Sequence, residues 1–146
     1  GALTIGTMDG ANVEMHERVG GEHMFIFGLS AQQVEARKHA GEFNAGPDIA
    51  ASHRLNDVLQ AIRGGVFSPD DPGRYVGLID GLIDYDRFLV CADFDAYWEA
   101  QARVEAHWHD SKEWWRSAVL NTARMGWFSS DRTIREYATE IWKALD

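Results

Sequence analysis

An α/β fold is predicted here, with two or three short parallel strands near the start and a mostly helical region after them. Three observations carry that expectation. Residues 2–5 form an apolar run with the β-branched pair Thr4 and Ile5, and a loop over residues 6–12 follows with the turn pair Asp9-Gly10. Met24-Phe25-Ile26-Phe27 is a continuous apolar run closed by Gly28, the form of a strand buried on both faces. From Leu55 onward, apolar residues recur at helical spacing. Strand, tight loop and helix start in that order make half of a βαβ unit. Such a loop lies at the carboxyl end of a parallel strand, where open α/β sheets bind ligands.

The elements follow in order. Residues 13–19 read as a short helix with Asn12 as its cap, stopped at Gly20-Gly21. The second strand comes next, and the chain between the strands is long enough for a crossover helix. Ser30-Ala-Gln-Gln33 is a capping box, which predicts a helix over 31–40 ended by Gly41. Residues 41–52 contain Pro47 and read as a loop. Leu55, Val58, Leu59 and Ile62 mark one face of a helix closed by Gly64-Gly65. Residues 68–73 are a turn cluster, and Tyr75, Leu78, Ile79, Leu82 and Ile83 mark another helix. Phe88-Leu89-Val90 reads as a short extended piece, with Asp93 or Asp95 capping a helix that presents Tyr97, Ala100, Val104 and Trp108. Ser111 is expected to cap the next helix, with a stripe of Trp115, Ala118, Thr122 and Met125. A final helix over 131–145 carries Ile134, Tyr137, Ala138, Ile141, Trp142 and Leu145.

Composition bounds the function. At 146 residues the chain has enough sequence for one domain. Its formal net charge of −9 argues against nucleic acid or an anionic membrane as partner. With the single cysteine Cys91 no internal disulfide is possible, and a cytoplasmic location is the expectation. No apolar run reaches the roughly 20 residues needed to span a bilayer. All six tryptophans lie after position 97, so the second half is expected to pack against something large.

No complete catalytic set is evident. The loop over 6–12 is the best candidate, since backbone N–H groups at a helix start can meet a phosphate or a sugar, yet it lacks a full Gly-x-Gly-x-x-Gly pattern. Asp9, Glu14 and Glu17 are close in sequence, but the two glutamates read as a solvated helix turn. His107 and His109 point about 200° apart on a helix and do not converge on one ion. His16, His23, His39 and His53 read as surface residues, and no metal ligand set is expected. Arg132 and Glu136 are one turn apart and read as an ion pair.

Longer motifs add a resemblance. Residues 1–14, Gly-Ala-Leu-Thr-Ile-Gly-Thr-Met-Asp-Gly-Ala-Asn-Val-Glu, resemble the segment that follows the pyridoxal-phosphate lysine in α-glucan (glycogen, starch, maltodextrin) phosphorylases. Phe25-Ile-Phe-Gly28, Phe67-Ser-Pro69, Asp86-Arg-Phe88 with Ala92-Asp93, and Phe128-Ser-Ser-Asp-Arg-Thr-Ile134 agree in order and spacing. The resemblance implies a glycosyltransferase of GT-B architecture, reversibly phosphorolysing α-1,4-glucan ends to α-glucose 1-phosphate. Residues 1–146 are then the C-terminal portion of its cofactor-bearing Rossmann-like domain, with a βαβα piece over 1–40 and a helical region over 53–146. The lysine that holds pyridoxal 5'-phosphate lies upstream of the position matching Gly1. No family catalytic residue therefore carries over, and the chain alone is expected to be inactive. Gly6, Thr7, Asp9 and Gly10 match the βα loop beside the active site, as wall or support. Implied partners are α-1,4-glucan and phosphate, together with another copy or the remainder of the enzyme. The alternative is a non-catalytic module that pairs with a partner or with itself.

Overall fold

A computed structural model describes residues 2–144. Its two strands, β1 (Ile5–Thr7) and β2 (Phe25–Phe27), pair in a parallel two-stranded sheet, and the Phe25 N–H donates to the Thr4 carbonyl at 2.9 Å. Every strand residue is half-buried, against the expectation of strands covered on both faces, because each strand has one neighbour among the described residues. Pairing begins at Ile5, so β1 lies later than the apolar run over 2–5.

The chain forms two compact units. One takes residues 2–6, 10–26 and 103–144. Here α1 (Ala11–Val19) starts before Val13, and its cap is Gly10 rather than Asn12. Gly10 has φ 48° and ψ −134°, a backbone that L side chains rarely adopt, so the helix turns in at the glycine. Near the other end of the chain α7 (Ser111–Arg124) is capped by Asp110, not Ser111: the Glu113 N–H donates to its carboxylate at 3.1 Å. The buried face of α7 also differs from the expected stripe. Ser117, Ala118 and Asn121 are buried, whereas Trp115 is 61% exposed. The two polar residues go inside because the chain around His23 supplies their hydrogen-bond partners.

The unit closes with α8 (Ser130–Glu136) and a π turn over Tyr137–Ile141, in place of one helix to 145. The Trp142 N–H reaches back five residues to the Tyr137 carbonyl at 2.8 Å, which widens the last turn. Of the expected stripe only Ala138 is buried; Ile134, Tyr137, Ile141 and Trp142 are exposed, and Leu145 lies outside the described residues. Trp127 is clasped by two guanidinium groups, Arg18 at 3.6 Å and Arg132 at 3.8 Å from its ring centre. Arg132 also pairs with Glu136, as their spacing implied.

The second unit takes residues 7–9 and 27–102. Its first helix, α2 (Ala31–Ala40), has both halves of the expected capping box: the Gln33 N–H donates to Ser30 Oγ, and the Ser30 N–H donates to Gln33 Oε1 at 2.8 Å. The expected loop over 41–52 contains α3 (Gly46–Ala51), with Pro47 in the first turn, where its missing N–H has no intrahelical partner to lose. A bidentate ion pair from Arg37 to Asp48, at 2.9 and 3.1 Å, ties α3 to α2. Then α4 (His53–Arg63) and α5 (Val76–Asp84) bring Leu55, Leu59 and Ile79 together with Ala45 and Cys91 as the core of this unit.

The long helix α6 (Val90–His109) begins where an extended piece was expected. Its cap is neither Asp93 nor Asp95. Asp86 is buried, and its carboxylate accepts the Val90 N–H at 2.9 Å and the Cys91 N–H at 2.7 Å. Leu89 precedes the helix in the left-handed region, φ 55°, held there by burial and by its N–H bond to the Asp86 carbonyl.

Two stability predictions arise here. Ser68 is 1% exposed, and its hydroxyl has no hydrogen-bond partner among the described residues. Ser68→Ala removes that uncompensated group and is expected to stabilise the chain by about 1 kcal/mol in urea unfolding. Burial foremost, and then the Asp86 carboxylate, push the Cys91 thiol up to about 12. The folded state thus prefers the neutral thiol. That preference is fully present below the unfolded thiol range near 9 and is lost as pH rises towards 12. At pH 8 the native chain should resist iodoacetamide and the urea-unfolded chain should react, as mass spectrometry would read.

Candidate functional site

The loop after β1 places Thr7 and Asp9 on the wall of a groove of about 320 Å³ in the second unit. Thr7 Oγ1 donates to the Asp9 carboxylate at 3.0 Å, which sets the loop's side chains. Opposite them, α2 contributes Glu35 and Lys38, and the turn ahead of α6 contributes Arg87 and Phe88. Gly6 and Gly10 are not among the lining residues. A Cβ on Gly6 would stand 2.6 Å from Asn12 Nδ2, so this glycine allows Asn12 its place.

Asp93, on the first turn of α6, completes the groove. Its Oδ1 accepts the Leu29 N–H at 2.7 Å. Gly28 makes that approach possible: its φ is 79°, and a Cβ there would lie 2.6 Å from the Asp93 carboxyl carbon. Burial pushes the Asp93 carboxyl up from its ordinary value, while the Leu29 N–H and the Arg37 charge pull it back. A half-buried carboxylate beside a groove is a physical mark of a functional site. The groove carries three acids, Asp9, Glu35 and Asp93, against two bases, Lys38 and Arg87. Sequence spacing did not point to Asp93 in this role, since its partner is 64 residues away.

A second constellation lies in the other unit. His23, expected at the surface, is buried, and its Nδ1 lies 3.0 Å from Ser117 Oγ. His107 Nε2 reaches the same hydroxyl at 3.1 Å. Glu22 stands 3.4 Å from His23 Nε2, so carboxylate, imidazole and hydroxyl are aligned in the order of a serine nucleophile. Ser117 is 1% exposed, however, and no substrate carbonyl can meet its hydroxyl. These contacts therefore hold structure. Among the described residues no three His, Cys, Asp or Glu side chains gather as metal ligands, and no helix is long and apolar enough to cross a membrane.

Comparison with known proteins decides the family. The family model for carbohydrate phosphorylase matches residues 1–144. The chain belongs to the carbohydrate phosphorylase family. Brain-form glycogen phosphorylase of Bos taurus is 48% identical over 144 residues, 99% of this chain and 17% of that protein. The brain form of Homo sapiens is 47% identical over 142 residues, and the glycogen phosphorylase of Synechocystis sp. is 46% identical over 142 residues, each match covering 97% of this chain. The chain thus spans 17% of the length of these phosphorylases.

Proposed function

We propose that residues 1–146 are the C-terminal portion of the cofactor-bearing Rossmann-like domain of an α-glucan phosphorylase with GT-B architecture. The single observation behind this reading is the family match over residues 1–144. The reaction is phosphorolysis: an orthophosphate oxygen bonds to the anomeric carbon of a terminal glucosyl unit. The α-1,4 C–O bond breaks, and the departing glucan oxygen takes a proton. Pyridoxal 5'-phosphate supplies acid–base chemistry through its phosphate in such enzymes. This chain's residues do not fit that cofactor by themselves. Its lysines are Lys38, Lys112 and Lys143, all exposed, whereas a Schiff-base lysine is activated by a desolvated pocket.

In this reading Thr7 and Asp9 support the wall of the site, and Gly6 and Gly10 shape the loop that carries them. Substrates are α-1,4-glucan and phosphate, and the location is the cytoplasm. The exposed apolar face of α7, with Trp115 and Val119, supports packing against the remainder of the enzyme or another copy. A longer protein carrying the upstream lysine motif should release glucose 1-phosphate from glycogen only when phosphate is present. The 146-residue chain should release none and show no Schiff-base absorbance with added pyridoxal 5'-phosphate. Turnover by the chain alone would refute the assignment of the missing groups to upstream sequence.

A further inference from the structure

Three tryptophans meet at the corner between α6 and α7. Trp108 stands at the end of α6, and Trp114 and Trp115 leave adjacent positions of α7 about 100° apart. The Trp108 and Trp114 rings lie at 88° to each other with centres 4.8 Å apart, and Trp115 adds a further wall. Ser111 precedes the two α7 rings by one helical turn, and its small side chain leaves the space beside them open. The result is a pocket of about 230 Å³ whose remaining lining is His109 and Ser111. We propose that this pocket is an aromatic cage for a quaternary ammonium group, with choline as its simplest occupant. The assignment uses no residue of the groove and stands whether or not the phosphorylase reading does.

Elsewhere in this chain, tryptophan faces are already filled by cations. Arg54 lies 4.6 Å from the Trp98 ring centre, and Arg18 and Arg132 lie 3.6 and 3.8 Å from that of Trp127. At the corner, no guanidinium or ammonium group of a described residue lies over Trp108 or Trp115, which are 58% and 61% exposed. Indole is the aromatic face that attracts a cation most strongly, so these rings are suited to one from outside the chain.

Hydrogen bonding selects an alkylated cation. A sugar needs donors and acceptors along its hydroxyl edge, and a primary ammonium has three N–H groups to satisfy. The pocket offers only His109 and Ser111 as polar side chains, whereas a quaternary ammonium has no N–H at all. Charge agrees with this choice. No lysine or arginine lines the pocket, Lys112 included. Glu105 is exposed, forms no ion pair with a described residue, and lies one helical turn before Trp108 and His109. The formal net charge of −9 adds a field that draws cations. The volume is smaller than that of drug-sized sites, as suits a small head group.

The test follows the indole N–H signals of the 146-residue chain by NMR during titration with choline at pH 8 and constant ionic strength. Saturable shifts are expected at Trp108, Trp114 and Trp115, with Kd on the order of 1 mM, and none at Trp98 or Trp127. The uncharged analogue of choline, with carbon in place of nitrogen, should bind about tenfold more weakly. Trp115→Ala should weaken choline binding by about tenfold while the far-ultraviolet dichroism stays native, and Trp115→Phe should recover part of the loss. Glu105→Gln should weaken it by about threefold. Val119→Ala, in the next hollow along α7, should leave it unchanged. The proposal is overturned by choline shifts that do not saturate, or by equal binding of the uncharged analogue. It also falls if maltose saturates the same indoles more tightly than choline, or if Trp115→Ala binds choline as well as the parent.

Discussion

Asp86→Ala is expected to lower the unfolding free energy by roughly 2–4 kcal/mol, one of the two largest effects of any polar substitution in the chain. Three backbone links meet at this residue. Its carboxylate accepts the Val90 and Cys91 N–H groups, and its own N–H donates to the Phe43 carbonyl at 2.8 Å. Because the residue is only 4% exposed, water cannot replace the lost carboxylate at either N–H. The consequence extends past the cap. Cys91 belongs to the core cluster with Leu55, Leu59 and Ile79, so a frayed start to α6 loosens that core. Asp86→Asn keeps one acceptor oxygen and sets an NH₂ against the other N–H, so an intermediate loss is expected. Asp95→Ala is the control. Asp95 pairs with Arg54 at 3.2 Å with both side chains about half exposed, and its removal should cost under about 0.5 kcal/mol. Urea unfolding of the three variants checks the order. Asp86→Ala within error of Asp95→Ala would mean that α6 draws its start from packing alone.

Asp86 also shows where sequence reading reached its limit. One cap that acts within three residues was legible: the box at Ser30 and Gln33 is present as expected, and α2 has its expected bounds, whereas the Asp110 cap of α7, of the same reach, was not read. The amphipathic stripe of α4 was legible as well, since Leu55 and Leu59 are buried. Asp86 caps from four and five residues away, across a left-handed Leu89, and the β-branched and aromatic run Phe88-Leu89-Val90 looked extended instead. In the groove, Thr7 and Asp9 were visible as a loop after a strand. Lys38, Arg87 and Asp93 were not, because the fold alone brings α2 and the start of α6 beside that loop. The phosphorylase motifs identified the scaffold without reporting these pairings. Long-range partners such as Leu29 and Asp93 leave no periodic trace in a single sequence.

The helix α7 gives the second large effect and the sharpest contrast between periodicity and packing. Helical spacing from Trp115 put Trp115, Ala118, Thr122 and Met125 inside, and loss of a buried tryptophan costs about 3–5 kcal/mol. The structure instead has Trp115 61% exposed and Asn121 buried. The Asn121 amide donates to the His23 carbonyl and to the Ser117 carbonyl, both at 2.9 Å. Ser117 in turn holds His23 and His107 through its hydroxyl. Asn121→Ala therefore withdraws two bonds from buried carbonyls and unties the His23 turn from α7, with an expected loss of roughly 2–4 kcal/mol. Asn121→Asp is expected to be no better, because a carboxylate facing two carbonyl oxygens has no hydrogen to give them. Trp115→Ala in the 146-residue chain should change stability by less than about 1 kcal/mol. Thermal or urea unfolding of the pair decides the matter. A heavier loss at Trp115 than at Asn121 would restore the aromatic stripe and place the polar face of α7 in water, and with it the buried His23–Ser117–His107 contacts would fall.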